Sequence, residues 1–115
     1  MKYELEERVE LFGEDIISLA KKIKINLINR SIIDQLIRSA TSVGANYFEA
    51  NGASSKKDFI NKIAIAKKEV IETQHWLRML VKTDDYLKQN ITNLWDEAKQ
   101  LGMILSKIIS NVRKK

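Results

Sequence analysis

Residues Gln35 to Leu80 read QLIRSATSVGANYFEANGASSKKDFINKIAIAKKEVIETQHWLRML and contain two helical patterns separated by one short polar turn. Asn51-Gly52-Ala53 predicts the end of the first helix, because glycine readily adopts the left-handed conformation that stops a helix. Ser54 or Ser55 predicts the start of the next helix, with Asp58 three residues beyond Ser55. The stretch therefore predicts two helices that fold back on each other.

Apolar residues recur every three or four positions along the rest of the chain, which is the spacing of one face of an α-helix. Helix one is predicted from about Tyr3 to Lys24, and helix two from near Ile32, with Ser31 and Asp34 as a capping box. Thr83-Asp84-Asp85 predicts the start of the fourth helix. The predicted core positions are Leu5, Val9, Phe12, Ile16, Leu19, Ile23 and Leu27; Ile33, Leu36 or Ile37, Ala40, Val43, Gly44, Tyr47 and Phe48; Phe59, Ile63, Ala66, Val70, Leu77 and Leu80; and Leu87, Ile91, Leu94, Ala98, Leu101, Leu105, Ile108 and Val112. Ile60, Ala64, Ile71, Trp76 and Met79 widen the apolar face of helix three.

The fold class that follows is all-α. Helices of about 20 to 30 residues joined by short loops favour antiparallel neighbours, and so predict an up-down-up-down four-helix bundle. The chain has 115 residues, enough for a single domain over residues 1–115 with one core. It has no proline, which agrees with nearly continuous helix.

Several chemistries find no support in the composition. The chain has no cysteine and one histidine, His75, so neither disulfides nor a zinc site is predicted, and no cofactor is expected. The acidic N-terminal segment lacks the apolar core of a secretory signal, and no apolar run approaches the ~18 residues of a membrane span. We therefore expect a cytoplasmic protein without a membrane partner.

Polar residues on the two central helices are predicted to meet across the fold-back. Arg38 falls opposite Glu69, and Asn46 falls opposite Asn61. Our hypothesis is that Arg38 pairs with Glu69 or Glu72, and that Asn46 hydrogen-bonds across the pair, so that misaligned packing leaves polar groups unsatisfied. The less favoured alternative is an active pocket, because carboxylates beside an arginine can serve acid–base chemistry. That pocket would contain Arg38, Asn46, Glu49, Glu69 and Glu72.

The aromatic residues have two possible roles. They could stack on nucleic-acid bases, but aromatic residues at helical spacing are more often core or subunit contacts, and we favour the latter. The residues concerned are Tyr47, Phe48, Phe59, Trp76, Tyr86 and Trp95.

Positive charge is concentrated in the second half of the chain. The net charge is +5, and from residue 86 onward six basic residues stand against two acidic ones. Such a surface attracts phosphates without reading sequence, most strongly when several copies present it together. The alternative is that the lysines only solvate exposed helix faces. The candidate nucleic-acid-binding residues are Lys56, Lys57, Lys62, Lys67, Lys68, Lys107, Arg113, Lys114 and Lys115.

Several short motifs resemble a known family. They are Gln35-Leu36, Arg38-Ser39, Ser42-Val43-Gly44-Ala45-Asn46, Glu49-Ala50, Ser55 with Asp58-Phe59, Ile65-Ala66 with Glu69, and Glu72 with Trp76-Leu77. This combination resembles the four helix bundle proteins first noted as products of intervening sequences within 23S ribosomal RNA genes. The resemblance implies a homopentameric barrel around a central channel, and no catalytic residues. It also implies a distant similarity to the accessory proteins of diversity-generating retroelements, which look like binders of nucleic acid and reverse transcriptase.

The function predicted from these observations is non-enzymatic. The leading hypothesis is a self-assembling helical protein that binds RNA or DNA through its basic surface without strong sequence preference. The alternative is an interaction scaffold that docks a partner protein and has no nucleic-acid role. An enzyme ranks third.

Overall fold

Four long helices make up the computed structural model, which describes residues 2–115 and their side chains from residue 4 onward. The helices are α1 (Lys2–Lys21), α2 (Arg30–Asn51), α3 (Lys56–Thr83) and α4 (Lys88–Arg113), and a short 3-10 helix (Asp85–Leu87) precedes α4. No β-strand occurs within residues 2–115, so the predicted all-α class is confirmed. No helix in this part of the chain combines the length and apolar character needed to cross a bilayer.

The helices pack in a cycle around one core. α1 contacts α2 and α4, α2 contacts α3, and α3 contacts α4. The described residues form a rod of 47 × 21 × 19 Å. Most of the residues predicted for the core are buried there, because an apolar stripe at helical spacing packs on the side of the helix away from water. Fully buried members include Phe12, Leu36, Val70, Leu77 and Leu101.

Two of the predicted core positions, Leu27 and Phe48, are exposed instead. Leu27 is 95% exposed, because α1 ends at Lys21 and Leu27 lies on the following loop. Phe48 is 42% exposed, since it lies at the edge of the α2 stripe, whereas Tyr47 is buried. Near the C-terminus of α4 the buried residue is Ile109, and Ile108 packs partly buried beside the core.

The start of α3 and the place where α2 ends follow the prediction, but the backbone that ends α2 and the residue that begins it differ from it. Ser55 has extended backbone, and its hydroxyl accepts a hydrogen bond of 3.0 Å from the Asp58 amide. Gly52 ends α2 with φ −99°, so no left-handed glycine is used. The last turn is tightened instead by hydrogen bonds from the Gly52 and Ala53 amides to the carbonyl groups three residues earlier. Ser31 does not cap α2, because the helix already begins at Arg30.

A buried polar cluster fixes the loop between α1 and α2. The side chain of Asn29 is fully buried and donates to Asp84 Oδ2 at 3.1 Å and to the Lys24 carbonyl at 3.1 Å. Asn26 and Asn29 also accept hydrogen bonds from each other's backbone amides, each at 2.9 Å. Asp84 accepts from the Thr83 hydroxyl as well, so its side chain joins the loop to the end of α3 and does not cap the 3-10 helix that follows.

Two further polar contacts join helices. Arg8 on α1 donates to both carboxylate oxygens of Glu97 on α4, at 2.7 and 3.1 Å, and this hydrogen bonding raises the pKa of the Arg8 guanidinium. On the core side of α2 and α3, the Ser39 and Thr73 hydroxyl oxygens lie 2.9 Å apart, and both side chains are buried. Each hydroxyl also has a carbonyl partner on its own helix, so burial leaves neither unsatisfied.

Replacing Asn29 with alanine tests the buried cluster. The change removes one of the two donors to Asp84 Oδ2 and leaves the loop amide of Asn26 without its acceptor, so we expect a loss of about 1–3 kcal/mol in the free energy of unfolding. Urea denaturation measures the loss, and Asn111→Ala at an exposed position is the control. Equal stability of the two variants would show that the cluster does not hold the loop.

Candidate nucleic-acid interface

A basic groove runs along the outside of the bundle between α3 and α4. Lys67 and Lys68 form its α3 edge, and Arg113 and Lys114 form the edge at the end of α4. The groove has a volume of about 680 Å³. Its floor is apolar, and the Ser106 and Ser110 hydroxyls lie along it; the apolar members are Ala64, Ile71 and Ile109.

Helical spacing explains why these residues share one groove. Residues 64 and 68, and residues 67 and 71, lie one turn apart on α3, and residues 106 and 110, and residues 109 and 113, do the same on α4. The opposite face of α3 is held by the core, with Ile63, Ala66 and Val70 fully buried. The packing of α3 therefore turns this basic row outward beside α4.

The charges of the groove are not neutralised within the described chain. Its nine described lining residues include four cations and no carboxylate, and none of the four forms a salt bridge with residues 4–115. Cations that face one another across a low-dielectric wall focus a positive potential on the space between them. The serine hydroxyls add hydrogen-bond donors, which are common phosphate ligands. The groove can therefore hold an anion with several oxygen acceptors.

The structure brings together only part of the predicted basic set. Lys67, Lys68, Arg113 and Lys114 line the groove, as described above. Lys56 and Lys57 lie exposed on the first turn of α3, and Lys107 is exposed on α4 outside the groove lining. Lys115 is the exposed last residue.

Lys62 is engaged by an acidic neighbour. Its ammonium nitrogen lies 3.0 Å from Glu49 Oε1 on α2. The hydrogen bond to Glu49, and then the negative charge of that carboxylate, raises the pKa of Lys62. Part of its charge is thereby satisfied inside the protein, so Lys62 is a weaker phosphate ligand than the lysines of the groove.

The polar network predicted between α2 and α3 has one strong centre. Arg38 Nη1 donates to Glu69 at 3.2 Å, Arg38 Nη2 contacts Glu72, and Arg38 Nε donates to Gln35 at 2.8 Å. Glu72 also accepts a hydrogen bond of 3.0 Å from the indole nitrogen of Trp76. This ion-pair cluster lies on the surface, with 44% of the Arg38 side chain exposed.

The other proposed members do not join that cluster. Asn46 donates to the Ser42 carbonyl of its own helix at 2.9 Å, so the predicted hydrogen bond across the pair is not formed within the described chain. The Asn46 side-chain amide can bond to the Ser42 carbonyl, one turn earlier, because a carbonyl oxygen has a second lone pair that the helix does not use. Asn61 is exposed, and Glu49 pairs with Lys62 near the turn. Of the five residues considered as an active pocket, Arg38, Glu69 and Glu72 therefore meet, and Asn46 and Glu49 do not join them.

The remaining site candidates are dispersed. His75 is exposed and makes an edge contact with Trp76, their ring centroids 4.7 Å apart. Among residues 4–115, no three His, Asp or Glu side chains are grouped in a way that could hold a metal ion. The aromatic side chains divide by environment: Tyr47 is buried; Phe59, Trp76 and Trp95 pack partly buried against the core; and Phe48 and Tyr86 are exposed.

Sequence reasoning missed two features of this surface. Ser106 and Ser110 were not singled out, although their spacing of four residues places them on one face of α4. Ile71 was assigned to a wide apolar face, whereas it is 55% exposed on the groove floor. The sequence does show Lys67 and Lys68 one turn before Ile71. This spacing indicates an exposed basic face only when the side of α3 that packs into the core is known.

Known proteins share the architecture of this chain. The fold and the basic outer groove define a small all-α helical bundle. The family model described as "23S rRNA-intervening sequence protein" matches residues 2–107, and the chain belongs to this family. The resemblance seen in the sequence motifs is confirmed.

A solved structure supports the assignment. It is a protein of unknown function from the S23 ribosomal protein family of Bacteroides thetaiotaomicron VPI-5482, with 33% sequence identity and a TM-score of 0.79. The similarity covers 91% of this chain and 97% of the other. No curated protein matches the sequence.

Replacing Arg38 with methionine tests whether the ion-pair cluster sets the register of α2 and α3. We expect a lower melting temperature and altered assembly, because Glu69 and Glu72 lose their shared cation. Arg78→Met, at an exposed position of α3, is the matched control. Circular dichroism melting and light scattering provide the readouts, and a variant indistinguishable from wild type in both would remove the register hypothesis.

Proposed function

We propose that the protein is a non-enzymatic, self-assembling bundle that binds RNA or DNA through the groove between α3 and α4. The observation that carries the proposal is the set of four cations on the groove without a carboxylate among its described lining residues. Binding is directed at phosphates and shows little sequence preference, because the groove offers charge and hydroxyl donors but no side chain arranged to read base edges.

The chemistry of the groove suits a single strand or the backbone of folded RNA. Its apolar floor can accept the face of a base or sugar, while the lysines on one edge and Arg113 on the other contact the phosphates. The family description refers to an intervening sequence of 23S rRNA, so structured RNA is the first ligand to test. A cytoplasmic location, expected from the sequence, belongs to this proposal.

Assembly is the second part of the proposal. The helices run up-down-up-down, and five copies of the bundle form a homopentameric barrel, as the family resemblance implies. The α2 and α3 contacts support the fold-back, because Glu49 meets Lys62 near the turn and Arg38 meets Glu72 farther away. Exposed apolar side chains outside the core support contact between copies; they include Leu11, Ile17, Phe48, Ile71 and Met103. Several copies would multiply a weak phosphate affinity.

An interaction scaffold is the second candidate function. The observation that favours it is the loop between α1 and α2, where Leu27 is 95% and Ile28 is 70% exposed. The buried Asn29 holds this loop in one conformation, so the two apolar side chains are presented without further ordering. A partner protein captured there, with no nucleic acid bound elsewhere, would favour the scaffold.

Salt dependence tests nucleic-acid binding. With four phosphate contacts per protomer, log K should fall with log salt at a slope of about −3, so affinity for structured RNA drops roughly 60-fold between about 50 and about 200 mM salt. Fluorescence anisotropy measures the affinity. The triple variant Lys67→Glu, Lys68→Glu, Arg113→Glu should bind at least about tenfold more weakly at low salt.

Two matched charge variants locate the site. Changing Lys21, Lys22 and Lys24 to glutamate alters the net charge equally on exposed residues away from the groove, and Lys56, Lys57 and Lys62 changed to glutamate test the turn region. Both should retain most of the affinity of wild type. Negligible binding by wild type, or equal losses in all three variants, would contradict a phosphate site in the groove.

A further inference from the structure

A second hollow lies between α3 and α4, beyond the basic groove. It has a volume of about 970 Å³ and lies where the last turns of α3 meet the first turns of α4. The indole ring of Trp95, half-buried, forms part of its wall, and we call it the Trp95 hollow. Three cations and two carboxylates also line it: Arg78, Lys82, Lys88, Asp85 and Asp96. The Trp95 hollow therefore offers an aromatic ring together with a smaller excess of positive charge than the basic groove.

The two hollows lie on one continuous side of the helix pair. On α3, residues 64, 68, 71, 75, 78 and 82 follow each other at intervals of three or four, and on α4 residues 88, 92, 95, 99, 102, 106, 110 and 113 do the same. His75 and Lys99, both exposed, lie between the hollows. The helices approach closely there, since a Cβ atom on Gly102 would lie 3.5 Å from Val70 Cγ1. Basic groove and Trp95 hollow are thus the two ends of one extended groove.

Trp95 has a ring and a donor that the bundle leaves unused. The other tryptophan, Trp76, donates its indole N–H to Glu72 and contacts the His75 ring. Within residues 4–115, Trp95 contacts no aromatic ring, and its indole N–H has no hydrogen-bond acceptor. No buried side-chain nitrogen or oxygen in this part of the chain lacks a partner, so the Trp95 indole nitrogen reaches the surface. Trp95 therefore presents a ring edge and a donor to the hollow.

The cations around Trp95 are also not neutralised by ion pairs. Arg78, Lys82 and Lys88 are exposed and form no salt bridge with residues 4–115. Asp85 and Asp96 reduce the net charge of the hollow, so an anion is attracted less strongly here than in the basic groove. A ligand that spans both ends therefore gains mainly charge contacts at the basic groove, and an aromatic contact supported by charge at Trp95.

A single strand of nucleic acid has the matching chemistry. Each of its nucleotides carries one phosphate and one flat aromatic base, and its unpaired bases can stack on protein aromatic rings. In a duplex the base faces are stacked on one another, so only a terminal base pair could reach Trp95. The α3 side of the extended groove, from residue 64 to residue 82, is about 27 Å long. At ~3.4 Å per nucleotide of stacked strand, this length holds about eight nucleotides.

We propose that the extended groove binds single-stranded nucleic acid, with phosphates on the basic groove and one base stacked on Trp95. The inference rests on the proposed function, because the basic groove supplies the phosphate contacts at one end. It adds a preference for single strands over duplexes, a length of strand, and the residue that produces the preference. Stacking does not discriminate strongly between bases, because every base has a π-face, so little sequence preference is retained.

Tryptophan fluorescence tests the stacking contact. In Trp76→Phe the only remaining tryptophan is Trp95. Titration with an eight-nucleotide oligouridylate should quench its emission, because a base lies against the ring. A blunt RNA duplex with the same number of phosphates should bind more weakly and leave the emission nearly unchanged. In Trp95→Phe, where Trp76 remains outside the groove, the oligouridylate should not quench.

Affinity variants separate stacking from packing. Trp95→Leu should weaken binding of the oligouridylate at least about fivefold, whereas Trp95→Phe, which keeps an aromatic face, should retain most of the affinity. Trp76→Leu replaces the other partly buried tryptophan and should bind like wild type. Fluorescence anisotropy measures the affinities, and circular dichroism establishes that each variant is folded. Trp95→Leu that is folded and binds like wild type would overturn the stacking contact.

The cations of the Trp95 hollow give a second test that leaves the core intact. In the variant Arg78→Gln, Lys82→Gln, Lys88→Gln, the slope of log K against log salt for the oligouridylate should become shallower by about 2, because a single strand contributes roughly 0.7 per phosphate contact. Lys21→Gln, Lys22→Gln, Lys24→Gln makes an equal charge change on exposed residues and should keep the slope of wild type. Equal slopes for wild type and both variants would contradict a strand that extends to Trp95.

The pattern of results separates this inference from the proposed function. A duplex bound as tightly as the single strand, with Trp95 emission unchanged, overturns the inference; the proposed function then stands if Lys67→Glu, Lys68→Glu, Arg113→Glu abolishes binding. An oligouridylate that quenches Trp95 and binds this triple variant as tightly as wild type supports stacking at Trp95 and contradicts the proposed function. Absence of binding by both nucleic acids contradicts the two proposals together.

Discussion

The packing of α3 against both α2 and α4 is the contact on which the rest of the structure depends. Its buried stripe includes Ile63, Val70, Leu77 and Leu80, each fully removed from solvent. Burying such side chains contributes about 1.5–3 kcal/mol each before the cost of ordering the chain, so this stripe fixes the rotation of α3. Once that rotation is set, residues 64, 67, 68 and 71 must face outward beside α4. The basic groove is thus a consequence of the core and needs no separate local structure.

Much of the fold could be predicted because its determinants are local. The apolar stripes follow the helical period, and the Ser55 cap depends on a residue three positions away. The end of α1 and the start of α2 were misplaced because their determinant is not local. Asn29 is held by Asp84, which is 55 residues away in sequence, and its loop leaves Leu27 in solvent. No periodicity in the sequence reports such a contact.

The site was predictable only in its residue types. The concentration of lysine and arginine in the second half of the chain pointed to phosphate binding, but nine candidates gave no indication of which ones meet. Lys62 illustrates the difficulty, because its pairing with Glu49 depends on the register of α2 and α3. Arg113 reaches the groove only because α4 runs beside the first half of α3. The ion pair of Arg38 with Glu69 was accessible from the fold-back, whereas the local hydrogen bond of Asn46 was not.

Residue-resolved NMR during titration with a structured RNA tests the central claim, that the groove between α3 and α4 is the phosphate-binding surface. The account predicts that the largest amide shifts fall on Lys67, Lys68 and Ile71 of α3 and on Ser106 and Ser110 of α4. Shifts that instead centre on Lys56 and Lys57, or on the loop around Leu27, would contradict it.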